Sequence, residues 1–256
     1  MTRTNWIGFY VFTKREFLRF FKVPHTTIFP VLVTVAFYMI IFGIAIGERI
    51  NEVAGVPYLL FILPGLFAQM VIQGSYSNPS GSLFVARQWG NIHDILMSPI
   101  SHTQMIIAYV ISGVARGFFL GVGTIIIGML FLRFEVHNWV ILLLYSILVA
   151  ILFALFGIII GLWAKRWEQL NIFINFVVTP LTFLGGIFYT LDMVPKSVAI
   201  ITQLNPIFYL VNGIRYGMIG ISEVNVYSGL FFLLAFCLIL YAIVYHMFEI
   251  GYNLKV

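Results

Sequence analysis

Charge is scarce in this sequence. Asp, Glu, Lys and Arg make up 9% of its 256 residues, against about 25% in a soluble domain. Hydrophobic residues reach 61%. So few charges cannot cover a water-soluble globule of this length. A soluble enzyme or a nucleic-acid module is therefore excluded, even with a net charge of +5. Cysteine is nearly absent: Cys237 stands alone in an apolar run, so no internal disulfide can form. There is no Gly-x-x-x-x-Gly-Lys-Ser/Thr phosphate loop, which excludes ATP hydrolysis by that mechanism. Histidines 25, 93, 102, 137 and 246 are scattered without metal-ligating spacing, so no metal site is expected. Acidic residues such as Glu16, Asp94 and Glu223 fall at or near the ends of apolar stretches. A carrier driven by protons or sodium usually needs an intramembrane carboxylate, so the energy source is expected to lie outside the chain. No nucleophile–base pair is visible, and no enzymatic activity is expected of the chain itself. No secretory signal is evident ahead of the first long apolar stretch, which is expected to act as an uncleaved signal.

What is present is a series of uncharged stretches long enough to cross a bilayer, for which about 20 residues suffice. They predict an all-α polytopic membrane protein with six transmembrane helices, near 24–47, 57–77, 103–132, 139–164, 169–191 and 224–248. The second stretch ends where the polar run Ser75–Ser82 begins. Ser197–Ile214 is also uncharged, but Gln203, Asn205, Pro206 and Asn212 make it a poor span. It reads as a helix-break-helix element that re-enters the membrane or lies on its outer face. Six spans put both termini on one side. With that side cytoplasmic, the inner segments carry Arg3, Lys14, Arg15, Arg19, Lys22, Arg87, Lys165, Arg166 and Lys255. The outer ones carry Arg49, Arg133, Lys196 and Arg215. The excess of inner cations favours cytoplasmic termini.

Four segments stand out. Residues 1–22 hold an amphipathic helix: Trp6, Phe9, Tyr10, Phe17, Phe20 and Phe21 recur near helical spacing, with Arg15, Arg19 and Lys22 on another face. This pattern suits the membrane interface, where it either anchors to lipid or also touches a partner. Leu83–Met97 reads as a second amphipathic helix, ended by Pro99. Val85, Trp89, Ile92, Ile95 and Leu96 line one face, and Arg87, Asn91 and Asp94 lie elsewhere. By pattern it is either a connecting loop or a lever pushed by a soluble partner. Arg116 lies deep in the third span, where a charge must snorkel, pair or face water. Beside it, Gly113, Gly117 and Gly121 form a small-residue ridge that lets another helix approach, and Gly43–Gly47 and Gly157–Gly161 repeat the spacing. Finally, Gly185, Gly186, Tyr189, Pro195, Asn205, Pro206 and Arg215 mark a broken segment between the last two spans. Aromatic residues, 17% of the chain, fit an amphiphilic cargo, although most phenylalanines in such a chain simply face lipid.

The run Ile95–Ser101 before the third span, Leu181–Tyr189 with Pro195, Leu204-Asn205-Pro206 with Tyr209, and Arg215-Tyr216-Gly217 together resemble the membrane subunit of type-2 ABC exporters, the ABC-2 permease family. The resemblance covers nearly the whole chain, as a single transmembrane domain over 1–256 of the compact type without large external domains. It implies that residues 1–22 are a connecting helix. It implies that Arg87, Trp89, Asn91, Ile92, Asp94, Ile95 and Leu96 belong to a coupling helix docked on an ABC ATPase, with Lys165, Arg166 and Glu168 as a second contact. The external helices of Lys196–Gly220 would close an outer gate. Two copies would pair, mainly through the first and fifth spans, and work with two ATPase subunits that bind ATP and Mg. The implied location is the bacterial inner membrane, among lipids and away from nucleic acid. Compact members move lipid-linked glycans, lipids, drugs or other amphiphiles. The alternative is an ATP-independent carrier or flippase.

Overall fold

A computed structural model describes residues 5–22, 24–46 and 52–254. Arg3, Gly47, Glu48, Arg49 and Lys255 lie outside the described residues. Twelve helices carry the fold among the described residues: α1 (Trp6–Arg19), α2 (Pro24–Thr27), α3 (Phe29–Ile40), α4 (Tyr58–Gln88), α5 (Ile92–Met97), α6 (His102–Phe131), α7 (Trp139–Trp163), α8 (Trp167–Phe173), α9 (Thr179–Phe183), α10 (Lys196–Leu204), α11 (Pro206–Ile219) and α12 (Val226–Glu249). A short antiparallel hairpin, β1 (Glu52–Val53) with β2 (Val56–Pro57), precedes α4. Five helical stretches are long and apolar enough to cross a membrane: Pro24–Gly43, α4, α6, α7 and α12. The pair α10–α11 would make a sixth, but it is bent by 87°. The chain is an all-α polytopic membrane protein.

Local chemistry sets the helix starts. Ser101 and Gln104 form a reciprocal capping box at α6, with the Ser101 backbone N–H donating to Gln104 Oε1 at 3.0 Å. Asn138 accepts from the Ile141 amide at 3.1 Å to start α7, and Asn225 from the Tyr227 amide at 2.8 Å to start α12.

The centre of the bundle is α4. Its most apolar window is 83% buried, against 17% for Pro24–Gly43. Lipid is as apolar as leucine, so close packing rather than water exclusion holds such helices together. The glycine ridges expected on α6 and α7 supply that packing, both against α4. A Cβ on Gly157 would sit 2.5 Å from the Tyr76 carbonyl oxygen, and one on Gly117 would sit 2.9 Å from that of Val71. Tyr145 of α7 passes over Gly213 of α11 and donates to the Val226 carbonyl at 2.5 Å, which ties three helices.

Three expectations are corrected. The second span does not end near Ser77: α4 runs unbroken through Ser75–Ser82 to Gln88. Ser75, Asn78, Ser80 and Ser82 are buried between neighbouring helices, where small side chains permit close approach. Their hydroxyls can turn back on the helix, as Ser80 Oγ does toward the Tyr76 carbonyl at 2.8 Å. Next, Leu83–Met97 is not one helix. It breaks at Gly90, whose φ of +77° is a left-handed conformation that glycine adopts without strain, and a separate short α5 follows. Last, the stretch expected as a span over 169–191 is a shorter helical run, Trp167–Phe183, widened by a π-helical segment at Ile174–Val178. It stops at the turn through Gly186, where φ is +77°. The helix-break-helix reading of Ser197–Ile214 matches α10–α11, with the bend at Asn205.

The connections sort to two ends. Gln88 donates to the Lys165 carbonyl at 3.3 Å and Arg87 to that of Asn253 at 2.9 Å. These bonds join the α4–α5 turn, the α7–α8 turn and the C-terminal segment at one end. At the other end, His137 and Asn138 donate to the carbonyls of Met218 and Gly217 at 3.1 and 2.8 Å.

Candidate functional site

At the first end, α5 projects between the two longest helices. Ile92 and Ile95 anchor it in the core, while Asn91, His93, Asp94 and Met97 are exposed and Leu96 is half-buried. Trp89 was expected on the apolar line with Ile92 and Ile95. The turn at Gly90 instead turns it outward, 76% exposed. Arg87 does not join this surface. Its Nη1 donates to the carbonyls of Gly161, Leu162 and Ala164 at 3.0, 2.7 and 3.1 Å, and its Nε to that of Asn253. A cation there satisfies the orphan carbonyls at the end of α7 and opposes the negative end of its dipole. Against the end of α4, where Gln88 donates to the Lys165 carbonyl, lies the α7–α8 turn with Lys165, Arg166 and Glu168 all exposed. The Gln169 side chain shapes it by accepting from the Lys165 and Arg166 amides at 2.7 and 3.3 Å. The two segments expected to meet a partner are therefore adjacent.

At the second end, the broken segment closes on a buried cation. Arg215 has no exposed surface. Its Nη1 lies 3.3 Å from Glu223 Oε1, its Nη2 donates to the Gly186 carbonyl, and its guanidinium stacks 4.0 Å over the Phe61 ring. Glu223 in turn accepts from the Leu191 amide at 2.6 Å, and its own amide donates to Asn212 Oδ1 at 2.7 Å. Asn205, at the bend, donates to the Leu181 carbonyl at 2.5 Å and accepts from the Ile207 amide at 3.0 Å. Pro206 then begins α11 where a missing N–H costs nothing. Tyr189 Oη contacts the Leu184 carbonyl at 3.0 Å and Thr202 Oγ1 at 2.9 Å. Pro195, exposed, precedes α10. Gly185, Gly186, Tyr189, Asn205 and Arg215 thus form one knot. Glu223, Asn212 and Tyr58, whose hydroxyl donates to the Phe188 carbonyl at 3.1 Å, complete it and are not among the site residues expected from sequence. No spacing along the chain announces Glu223 as the partner of Arg215.

Toward the first end, where Gln104 at the start of α6 donates to the Asn5 carbonyl at 3.4 Å, α1 packs on α6 and buries against α4 a carboxylate that the sequence reading places at a span boundary. Glu16 is 1% exposed. It accepts from Ser82 Oγ at 2.5 Å and pairs with Arg15 at 2.9 Å and with Arg19 at 3.6 Å. The opposite face of α1 shows Trp6, Ile7, Tyr10 and Val11 at the surface, as an interfacial helix requires. Burial lowers the pKa of Arg19, an effect that the Glu16 carboxylate opposes. Beside this cluster opens a cavity of about 420 Å³, lined by Arg19, Asn78, Arg116, Trp167 and Asn171 among others. Arg116 reaches it from α6, with Nη2 donating to the Thr27 carbonyl at 3.3 Å.

Apolar helices wrapped around a central one, with a short surface helix at one end and a broken helical pair knotted at the other, define a polytopic membrane protein. The chain belongs to the ABC-2 type transporter family, whose profile matches residues 8–219. It is 36% identical over 255 residues to the inner membrane transport permease YadH of Escherichia coli, covering 100% of each chain. It is 25% identical over 231 residues to nodulation protein J of Rhizobium meliloti, covering 87% of this chain and 84% of that one. A putative transport permease of Cyanophora paradoxa, ycf38, is also 25% identical, over 214 residues.

Proposed function

We propose that this chain is the transmembrane subunit of an ABC exporter of the bacterial inner membrane. Two copies form the translocation path for an amphiphilic substrate, driven by two copies of a separate ATPase that binds ATP and Mg. The crossings are Pro24–Gly43, α4, α6, α7, the run Trp167–Phe183 and α12, with α10 and α11 at the outer end as the gate. Both termini then lie in the cytoplasm, on the side of α5, Lys165 and Arg166. The observation that carries this reading is α5: a helix anchored by Ile92 and Ile95 that offers His93, Asp94 and Met97 outward, just after the α4 end that bonds to a second exposed turn. ATP-driven motion of the ATPases changes the path only where its two states grip α5 differently.

The test is recovery of the tagged full-length chain from its native host. An ATPase bearing a phosphate loop should come with the wild type and be depleted by Asp94→Lys combined with Met97→Asp, while both proteins elute alike on size exclusion. Undiminished ATPase recovery with that pair of substitutions, or transport by the chain without nucleotide, would refute the reading.

A further inference from the structure

We infer that the cavity between α1, α4, α6 and α8 binds a phosphoryl oxyanion carried on an amphiphile. The first argument is charge. Glu16, beside the cavity, is already shared between Arg15 and Arg19. Arg116 has no carboxylate within ion-pair distance among the described residues. Two guanidiniums therefore border one cavity, and one of them, Arg116, has no paired carboxylate, an arrangement that costs free energy until an anion enters.

The second argument is unspent hydrogen-bonding capacity. Nε of Arg116 and Nδ2 of Asn78 are buried and make no hydrogen bond among the described residues, and Nε of Arg19 faces Glu16 Oε2 only at 3.6 Å, beyond hydrogen-bond distance. All three are donors, and all belong to residues that line the cavity. A tetrahedral oxyanion offers several acceptors to such a group, and guanidinium is the side chain that suits it best. A volume of about 420 Å³ admits a phosphoryl head group.

The third argument is the rim. Phe20, on the cavity wall, packs on Phe21 at 4.1 Å between ring centroids, and Phe21 on Phe119 at 5.4 Å. Phe21, Phe119 and Trp167 are 39%, 42% and 50% exposed. A charged pocket opening onto aromatic rings fits a head group inside and hydrocarbon outside. The inference deepens the amphiphile reading and rests on it. Its test is independent of the ATPase, so the site can fail while the permease reading stands.

The experiment is native mass spectrometry of the full-length chain released from detergent, titrated with three probes. Phosphatidylglycerol carries both phosphate and chains, diacylglycerol the chains alone, and glycerol 3-phosphate the phosphate alone. Phosphatidylglycerol should bind at least about ten-fold more tightly than diacylglycerol. Arg116→Gln should remove most of that preference, and Arg116→Lys should keep part of it. Binding of phosphatidylglycerol without glycerol 3-phosphate assigns the anion to a lipid head group, and comparable binding of both assigns it to a free phosphate ester. Hydrogen exchange on the wild type supplies a readout that does not depend on folding of a variant. Saturating phosphatidylglycerol should protect amides within Phe20–Thr27 and around Asn171. Equal affinity for phosphatidylglycerol and diacylglycerol, an unchanged preference in a folded Arg116→Gln variant, or protection confined to other segments each overturns the site.

Discussion

Replacing Glu223 by Gln should destabilise the protein far more than a one-atom change suggests. The substitution keeps shape and one acceptor, so the Leu191 amide at 2.6 Å can stay satisfied. What it removes is the charge opposite Arg215, a guanidinium with no exposed surface. Breaking one side of a buried ion pair costs about 3–5 kcal/mol, because the remaining charge stays desolvated and uncompensated. The Gly186 carbonyl and the Phe61 ring recover part of this, which places the expected loss near the lower bound, about 3 kcal/mol. For a chain of this size that corresponds to a fall in Tm on the order of 10 °C. The assay is thermal unfolding in detergent of four proteins: wild type, Glu223→Gln, Arg215→Met and the double variant. The double variant should unfold above the sum of the single losses, with a coupling of at least about 1 kcal/mol. A Glu223→Gln protein that melts with the wild type, or losses that simply add, would show that Arg215 finds its compensation elsewhere and that the knot is not a unit.

Further outcomes follow from the same geometry. Gly157→Val should abolish folded yield on size exclusion, because even a Cβ would lie 2.5 Å from the Tyr76 carbonyl and both partners are helix backbone. Arg87→Gln should cost about 1.5–3 kcal/mol by the loss of charge-assisted bonds to α7 and should speed amide exchange near Asn253. Unchanged exchange there would mean that the C-terminal segment is held by other contacts. Glu16→Gln should lower Tm by several degrees through loss of the Arg15 and Arg19 pairs, whereas exposed Glu249→Gln, paired to His246 at 3.8 Å, should leave Tm within about 1 °C.

The apolar runs made five membrane-spanning helices legible, and the ridges at Gly113, Gly117 and Gly157 announced close helix contacts that exist. The bend at Asn205-Pro206 was equally readable, since Asn caps and Pro starts a helix. Ser75–Ser82 misled because hydropathy treats serine as a wish for water. Between tightly packed helices it is small, and its hydroxyl can bond to its own backbone, as in Ser80, or to a buried carboxylate, as in Ser82. Leu83–Met97 misled because the 3.6-residue period survives on paper across Gly90, where the helix actually breaks. Glu16 and Arg215 could be seen as residues but not as partners. Ser82 is 66 positions from Glu16, and a separation of that kind is set by tertiary packing alone.

The clamp formed by Arg87 has a mechanical corollary. One planar cation at the root of α5 holds the final carbonyls of α7 and the backbone near the chain's end at once. Sliding α4 relative to α7 would require releasing several charge-assisted bonds together, so any displacement of the α4 end would carry α7 with it as one stiff strut.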